Sequence, residues 1–278
     1  MRITVTQCAA KRGNAVSKPC EDIAMKRIFA LSFLLPCLFI ALMAAGGCAT
    51  KPMPDIAANM PAAVDDSERP GSKAEKDHIL HGRTAEAQAL YNEARANEKH
   101  ITPDMIRIAG ELGGKMVGLQ YSVKTASSVE DKIRRRLKDS HGSKSDAQIV
   151  AEMGDLVRYT LEVEHETLVP ATRRTIAKLQ ELGYTVKKLD NRYLVPNPSY
   201  MGIHLAVVAP QGQLFELQIH SPDSKAIHSA THKKYEEARN VDTHPKRAKE
   251  LIEEMRAAWA KLPMPPGIES LTNFPVKE

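Results

Sequence analysis

The segment Leu214–Ser221 constrains the fold of this chain more than any other stretch. Apolar side chains occupy every second position in it, which is the period of a β-strand that buries one face. The polar residues between them, Glu216, Gln218 and His220, are then expected on the other face of the strand. That face either meets solvent at the edge of a sheet or lines a cleft, and both interpretations stay open at this point.

Similar periodicity elsewhere predicts an alternation of strands and helices. A strand over Ile203–Val208 precedes the strand over Leu214–Ile219, and the turn between them contains Gly212, which predicts a β-hairpin. Further strands are predicted over residues 117–123, 156–163 and 184–189, and helices over residues 128–138, 167–182, 222–239 and 244–261. This order predicts an α+β fold with a mixed sheet of about five strands and helices packed on it.

Two more helices are predicted ahead of the first strand. One begins near Thr84, and the other has Thr102 as its N-cap and Pro103 in its first turn. Because proline is disfavoured inside a helix and tolerated at its start, the pattern places a break before Pro103. Gly113 and Gly114 are expected to end the second helix.

The first 76 residues are predicted to lie outside the folded domain. Met25 is the expected start of translation, and a basic pair after it leads into an apolar run over residues 28–44 that ends at small residues before Cys48. This pattern is typical of a lipoprotein signal, and a membrane-spanning anchor is the alternative for a run of about 17 residues. We therefore predict a leader over residues 1–47, a flexible tether over residues 48–76 and a domain over residues 77–278.

Cleavage at this signal leaves Cys48 as a lipid-modified N-terminal residue, which predicts attachment to a membrane. Ala49 follows it in place of the aspartate that retains bacterial lipoproteins in the inner membrane. By resemblance to that sorting rule, the expected location is the outer membrane, facing the periplasm. The other three of the four cysteines lie in the leader, which excludes a disulfide framework in the processed chain.

The distribution of charge argues against a stable nucleic-acid partner. The whole chain has 39 Lys and Arg against 34 Asp and Glu. Residues 1–47 hold 6 and 2 of these, so residues 48–278 carry 33 basic and 32 acidic side chains. A nearly neutral domain lacks the overall positive charge that sequence-independent binding to nucleic acid needs.

Two further segments carry residues suited to phosphate chemistry. Lys124 and Ser128 stand at the predicted start of a helix, where Ser128 can act as the cap, and Lys132 follows one turn later on the same face. A helix N-terminus and two ammonium groups can meet one polyphosphate there. Asp155 is expected at the start of a strand, where its carboxylate can bind a hard cation.

Together with Tyr200 and His204, these segments resemble, in kind and in order, the synthetase domain of the RelA/SpoT family over roughly residues 115–240. That family transfers pyrophosphate from ATP to a ribose 3′-hydroxyl on a nucleotidyltransferase-like fold. The resemblance implies ATP as the donor, a guanine or other purine nucleotide as the acceptor, and Mg²⁺ as the metal. It also implies that Asp155 binds the metal and that Glu216 either supports the metal or deprotonates the 3′-hydroxyl.

The same resemblance implies a set of nucleotide-binding residues. Tyr200 is similar to a family tyrosine that stacks on the guanine of the acceptor. Ser122 departs from the family pattern, which has an ATP-contacting arginine at this position, and this departure bears on catalytic strength. The implied contacts to phosphate or ribose are Lys124, Ser128, Lys132, Arg134, Arg158, His204, Gln218 and His220.

Other functions fit the same residues. One is a membrane-tethered nucleotide-binding module with weakened catalysis, which agrees with Ser122 and with a periplasm poor in ATP. Another is a secreted toxin that uses the fold on nucleotides or RNA. No His-Asp dipeptide occurs in the chain, so the hydrolase half of the long family members is not expected. His228 and His232 are spaced as in some zinc sites, but no third ligand stands at a suitable spacing.

Overall fold

The structure, a computed structural model, describes residues 69–240 and 242–275. The predicted leader, Cys48 and residues 48–68 of the predicted tether lie outside the described residues. None of the helices within the described ranges is both long enough and apolar enough to cross a membrane. The helices are α1 (Ser72–Lys76), α2 (Ala85–Glu111), α3 (Ala126–Asp139), α4 (Asp146–Ala151), α5 (Leu168–Glu181), α6 (Pro222–Ala238) and α7 (Pro245–Trp259). The strands are β1 (Lys115–Met116), β2 (Val157–Glu162), β3 (Thr185–Asn191), β4 (Ile203–Val208) and β5 (Leu214–His220).

The five strands form one mixed sheet in the order β1-β2-β5-β4-β3. Strands β2 and β5 run parallel, and every other neighbouring pair runs antiparallel. The predicted hairpin is confirmed, because β4 and β5 pair directly with Ile203 opposite Ile219. The α+β class with a five-stranded mixed sheet is therefore confirmed.

One face of the sheet is the hydrophobic core. Phe215 is fully buried and makes edge-to-face contacts with Tyr159 and Tyr184, whose ring centroids lie 5.7 and 6.0 Å away. Burial of an aromatic side chain of this size contributes about 1.5–3 kcal/mol to stability. Helices α2 and α5 pack on the sheet. The apolar positions of β5 therefore face inward, as their alternation predicts.

Helix α2 is one continuous helix of 27 residues, so the predicted break before Pro103 is wrong. Thr84 is its N-cap, as predicted, and accepts a hydrogen bond from the backbone of Ala87. Thr102 lies inside the helix and donates to the carboxylate of Glu98 at 2.5 Å instead of capping a new helix. Apolar residues on both sides of Pro103 are buried, and their burial outweighs the cost of about 3 kcal/mol for an interior proline.

The strand predicted over residues 117–123 is largely absent. Strand β1 ends at Met116, and Gly118 has a φ of 68°, a left-handed conformation that interrupts an extended chain. A short 3₁₀ helix (Leu119–Tyr121) follows it. Of the predicted strand, Val123 pairs with β2 through a single bridge to Val157.

The folded domain begins earlier than residue 77. Ser72 and Ala74 of α1 are buried, and the backbone of Gly71 donates to the carbonyl of Leu119 at 3.0 Å. The lack of a sustained apolar period in residues 71–76 predicts a flexible tether, but helix α1 in this segment packs against the 3₁₀ helix. Helix α4 is a second element that periodicity does not predict, although Ser145 and Gln148 form a capping box at its start.

Candidate functional site

The polar face of the sheet brings together residues from three strands. Because β2 and β5 run parallel in register, Arg158 lies beside Glu216. On the other side of β5, His204 of β4 lies beside Gln218. The polar residues of β5 thus have a guanidinium on one flank and an imidazole on the other.

Lys124 and Lys132 converge on the carboxylate of Asp155 at one end of this face. The Nζ atom of Lys132 lies 2.5 Å from Oδ1, and that of Lys124 lies 3.3 Å from Oδ2. Asp155 precedes β2 instead of starting it, since the strand begins at Val157. Side-chain exposure is 15% for Lys124, 20% for Lys132 and 21% for Asp155, so solvent screens these charges little.

Burial and charge shift the pKa values of this group. Burial alone would raise the pKa of Asp155, but the two neighbouring ammonium groups outweigh it and lower the pKa to about 2. For Lys124, burial lowers the pKa and outweighs the attraction of Asp155, while Arg158 and Lys132 add like-charge repulsion. Asp155 is therefore ionised at neutral pH, and the group carries an excess of positive charge.

Two other predicted phosphate contacts lie near this group in sequence. Ser128 is not the cap of α3, because the helix begins at Ala126 with Thr125 as its N-cap, and the Ser128 hydroxyl accepts from that of Thr125 at 3.0 Å. Arg134 has a side chain that is 70% exposed and forms an ion pair with Asp131. The structure therefore does not bring Arg134 into contact with the carboxylate of Asp155.

Glu216 has its own set of partners. The side-chain amide of Gln218 donates to Oε1 of Glu216. The Nδ1 atom of His204 lies 3.7 Å from the same oxygen. Both Glu216 and His204 are partly buried, whereas Gln218 is only 7% exposed. Glu216 is therefore held in place by Gln218 and has the imidazole of His204 beside it.

Tyr200 connects two histidines beneath this face. Its hydroxyl lies 2.7 Å from Nε2 of His204 and 2.8 Å from Nε2 of His220. Gly202 leaves room for this contact, because a Cβ atom there would come within 2.6 Å of the Tyr200 hydroxyl. Burial lowers the pKa of both histidines, with the carboxylate of Glu216 opposing the shift at His204, and it raises the pKa of Tyr200. The three groups are therefore neutral at neutral pH.

The structure contradicts the predicted contact from His220 to ribose or phosphate. The side chain of His220 is fully buried. Its second nitrogen, Nδ1, lies 2.9 Å from the hydroxyl of Ser224, so both ring nitrogens have partners within the protein. Alternation along β5 places His220 on the correct face, but α6 covers it.

The ring of Tyr200 is part of an aromatic cluster. Its centroid lies 5.4–5.6 Å from those of His220, His228 and Trp259, in edge-to-face arrangements. Tyr200 is partly buried, and stacking on a guanine stays a prediction. The cluster and the two hydroxyl contacts together fix the position of the ring.

Ser122 faces the core instead of the polar face. It is 1% exposed, and its hydroxyl donates to Oε1 of Glu98 at 2.7 Å. Its backbone has φ −60° and ψ −26°, a helical conformation at the end of the 3₁₀ helix that breaks the alternation of a strand. The backbone carbonyl of Ser122 accepts from the backbone N–H of Arg158 at 2.7 Å, which ties this segment to β2.

The carboxylates of this region are the candidate metal ligands. Among the described residues, no group of three or more His, Cys, Asp or Glu side chains is arranged to hold a metal ion. Asp155 and Glu216 provide oxygen atoms of the type that Mg²⁺ prefers, and Mg²⁺ in nucleotide enzymes commonly uses one or two carboxylates with substrate phosphates. Binding of Mg²⁺ by these carboxylates together with a nucleotide stays a prediction.

Lys225 is a residue of this region that sequence reasoning missed. It lies on α6 and shares one helical face with His228 and His232, at spacings of three and seven residues. That spacing was the available signal. Lys225 reaches the polar face only because α6 packs back on β5, and the sequence does not predict that packing.

No family model matches the chain, and no curated protein matches it. Solved structures do match. A chain in the crystal structure of the complex between the type VI effector Tas1 and its immunity protein is 20% identical, with 62% of this chain and 94% of that chain covered and a TM-score of 0.42. Small alarmone synthetase 2 from Bacillus subtilis is 17% identical, with coverages of 61% and 90% and a TM-score of 0.43. Small alarmone synthetase 1 from Bacillus subtilis, bound to its product pppGpp, is 20% identical, with coverages of 50% and 69% and a TM-score of 0.33.

Proposed function

We propose that this chain is a nucleotide pyrophosphokinase that transfers pyrophosphate from ATP to the 3′-hydroxyl of a guanine or other purine nucleotide. The observation that carries the proposal is that Lys124 and Lys132 both contact the carboxylate of Asp155. Close by in sequence, the pairing of β2 with β5 places Arg158 beside Glu216. Cations for a triphosphate and a carboxylate for a hydroxyl proton are the parts that this reaction needs.

The reaction assigns a role to each of these side chains. The 3′-oxygen of the acceptor attacks the β-phosphorus of ATP, the bond from that phosphorus to the oxygen bridging to the α-phosphate breaks, and AMP leaves. Glu216 takes the proton of the 3′-hydroxyl, and Gln218 holds the carboxylate in place. Lys124 and Lys132 neutralise the charge that develops on the phosphates.

Asp155 is the residue that would hold Mg²⁺ together with the phosphates of the nucleotide, while Glu216 acts as the base. Bound there, Mg²⁺ supplies positive charge to the phosphate oxygens during transfer. Both lysines contact Asp155 in the structure. A triphosphate offers these ammonium groups stronger anionic partners, so nucleotide binding would free the oxygens of Asp155 for the metal.

The test is transfer of label by the full-length protein. With ATP labelled in its β- or γ-phosphate, Mg²⁺ and separate GDP, GTP, ADP, ATP and tRNA acceptors, we expect label in one nucleotide acceptor. Replacement Glu216→Gln should reduce the rate by about 10²–10⁴-fold, as expected for removal of a general base, and leave nucleotide binding intact. Glu166→Gln, at an exposed glutamate, is the matched control and should transfer normally. Absence of label from every acceptor would rule out the pyrophosphokinase.

A nucleotide-binding module without transfer is the second candidate function. The observation that favours it is Ser122, which is buried and bonded to Glu98 where the resemblance leads one to expect an arginine at the phosphates. A binding function without transfer also suits a location that is poor in ATP. Measurable binding of ATP or GDP by a protein that transfers no label would support this function instead.

Attachment to the outer membrane through a lipid on Cys48 is also a proposal, and it rests on the sequence pattern alone. Replacement Cys48→Ser should release the protein from the membrane fraction of cells that express it. Removal of Cys37 in the apolar run is the control and should leave the protein attached. Continued attachment of Cys48→Ser would favour a membrane-spanning anchor.

A further inference from the structure

Arg158 is a partly buried guanidinium without an anionic partner. Within the described residues its side chain makes no ion pair or hydrogen bond, and its backbone N–H is bonded to the carbonyl of Ser122. Its neighbour in register, Glu216, is bonded to Gln218 instead. A guanidinium in partly desolvated surroundings is costly unless an anion binds it.

Lys225 of α6 is a second cation in the same condition. Helix α6 follows β5 directly, with Ser221 as its cap, and it packs back on that strand. Lys225 as a whole is partly buried, and within the described part of the chain the hydrogen-bond partner of its ammonium group is the hydroxyl of Ser229 at 3.4 Å. Glu162 is the nearby carboxylate, but it already forms an ion pair with Lys115 at 2.9 Å.

The pKa shifts of the surrounding groups agree with a positive field between these cations. Burial lowers the pKa of Lys225, and the charge of Arg158 lowers it further. Burial lowers the pKa of His228 to about 3, with Lys225 as the next cause, so this imidazole is neutral. Among the described residues, the Nδ1 atom of His228 is buried and has no hydrogen-bond partner.

We propose that Arg158 and Lys225 form a second anion subsite, which binds the 5′-phosphates of the acceptor nucleotide while Lys124 and Lys132 bind the donor. This inference rests on the proposed function, since a transfer between two nucleotides needs two places for phosphate groups. Arg158 and Glu216 stand opposite each other on neighbouring strands, which lie about 4.8 Å apart. An acceptor with its 5′-phosphates on Arg158 can therefore present its 3′-hydroxyl to Glu216.

The subsite predicts that an acceptor is recognised through its 5′-phosphates. The test compares the binding of GDP and guanosine, and of ADP and adenosine, to the full-length protein by calorimetry. Replacement Lys225→Ala should weaken binding of the preferred nucleoside diphosphate by at least about tenfold, the usual size of a lost charge-assisted hydrogen bond, and leave the nucleoside unaffected. Arg158→Gln should do the same, and Arg158→Lys should keep part of the affinity.

Two controls separate this subsite from the donor subsite and from unfolding. Lys233→Ala removes an exposed lysine of the same helix and should leave nucleotide binding unchanged. An ATP analogue with a methylene bridge between the α- and β-phosphates cannot be cleaved there, and its affinity should be unchanged in Lys225→Ala. Circular dichroism spectra identify any variant that does not fold, in which case Arg158→Lys and Lys225→Gln replace it.

Three outcomes would overturn the subsite. In one, the unaltered protein binds the diphosphates no more tightly than the nucleosides. In another, the variants weaken the ATP analogue instead of the diphosphate, which would place Arg158 at the donor in the role that Ser122 cannot fill. In the third, the variants change neither the affinity for the diphosphate nor that for the ATP analogue. If the unaltered protein transfers no label but the variants lose diphosphate binding, the subsite is upheld and the pyrophosphokinase is refuted. The two proposals therefore fail separately.

Discussion

At the residue scale, the ionisation of Asp155 couples the candidate site to stability. Its pKa of about 2 in the folded protein lies below the ordinary value of 3.8 for an aspartate. The carboxylate therefore stabilises the fold by up to about 2 kcal/mol above pH 4, and this contribution is lost as the pH falls from 4 towards 2. The cost of burying Lys124 offsets part of it.

Replacement Asp155→Asn should therefore destabilise the protein most at neutral pH. We expect the free energy of unfolding in urea to fall by about 1–2 kcal/mol at pH 7, with a smaller difference from the unaltered protein at pH 3. Asp139→Asn, at an exposed carboxylate that ends α3, should leave the pH dependence as it is. A loss of stability at Asp155 that does not vary with pH would contradict the ionic origin.

The sequence predicts some of the site residues and misses others for a physical reason. Lys124 and Lys132 are predictable because they stand close in sequence around the start of one helix, and in the structure both contact Asp155. Alternation predicts the face of His220 but not its cover, because that depends on where α6 packs. Lys225 is missed for the same reason, since its importance comes from a contact between elements.

At the scale of single elements, the continuity of α2 makes a prediction about Pro103. An interior proline removes one backbone hydrogen bond and crowds the preceding turn, so Pro103→Ala should raise the free energy of unfolding by about 1–3 kcal/mol. Urea unfolding followed by circular dichroism measures the change. A proline at the start of a separate helix would give little or no gain.

Pro170 is the matched control for this prediction. It lies in the first turn of α5, where the missing N–H has no partner within the helix in any case. Pro170→Ala should therefore change stability by only a few tenths of a kcal/mol. An equal gain at both positions would show that the effect comes from the unfolded chain rather than from the interior of α2.

The elements that sequence predicts well have a strong local period. The hairpin β4–β5, helix α5 and helices α6 and α7 follow their apolar patterns closely. The break in α2 and the strand over residues 117–123 fail because tertiary packing overrides the local signal. Burial holds α2 together across Pro103, and the left-handed Gly118 bends a segment that is apolar enough for a strand.

At the scale of the whole molecule, residues 71–76 belong to the domain. A fragment that starts at residue 77 should unfold at a lower urea concentration than one that starts at residue 69, with a difference of about 1–2 kcal/mol. It loses the buried Ala74 and the hydrogen bond from Gly71 to Leu119. In the longer fragment, Ala74→Glu should reproduce the loss and Lys76→Glu, at an exposed position, should not. Equal stability of the two fragments would place α1 outside the cooperative unit.

Tyr200 brings one hydroxyl hydrogen to two imidazole nitrogens, so it donates to one ring and accepts from the other. The hydroxyl of Ser224 donates to a backbone carbonyl at 3.0 Å, so the hydrogen between Ser224 and His220 belongs to Nδ1 of His220. The Tyr200 hydroxyl then donates a hydrogen bond to Nε2 of His220, and Nε2 of His204 donates a hydrogen bond to the Tyr200 oxygen. In neutral His204, the Nδ1 lone pair therefore faces Glu216 across 3.7 Å. A proton that Glu216 accepts would then lie next to a second base, Nδ1 of His204.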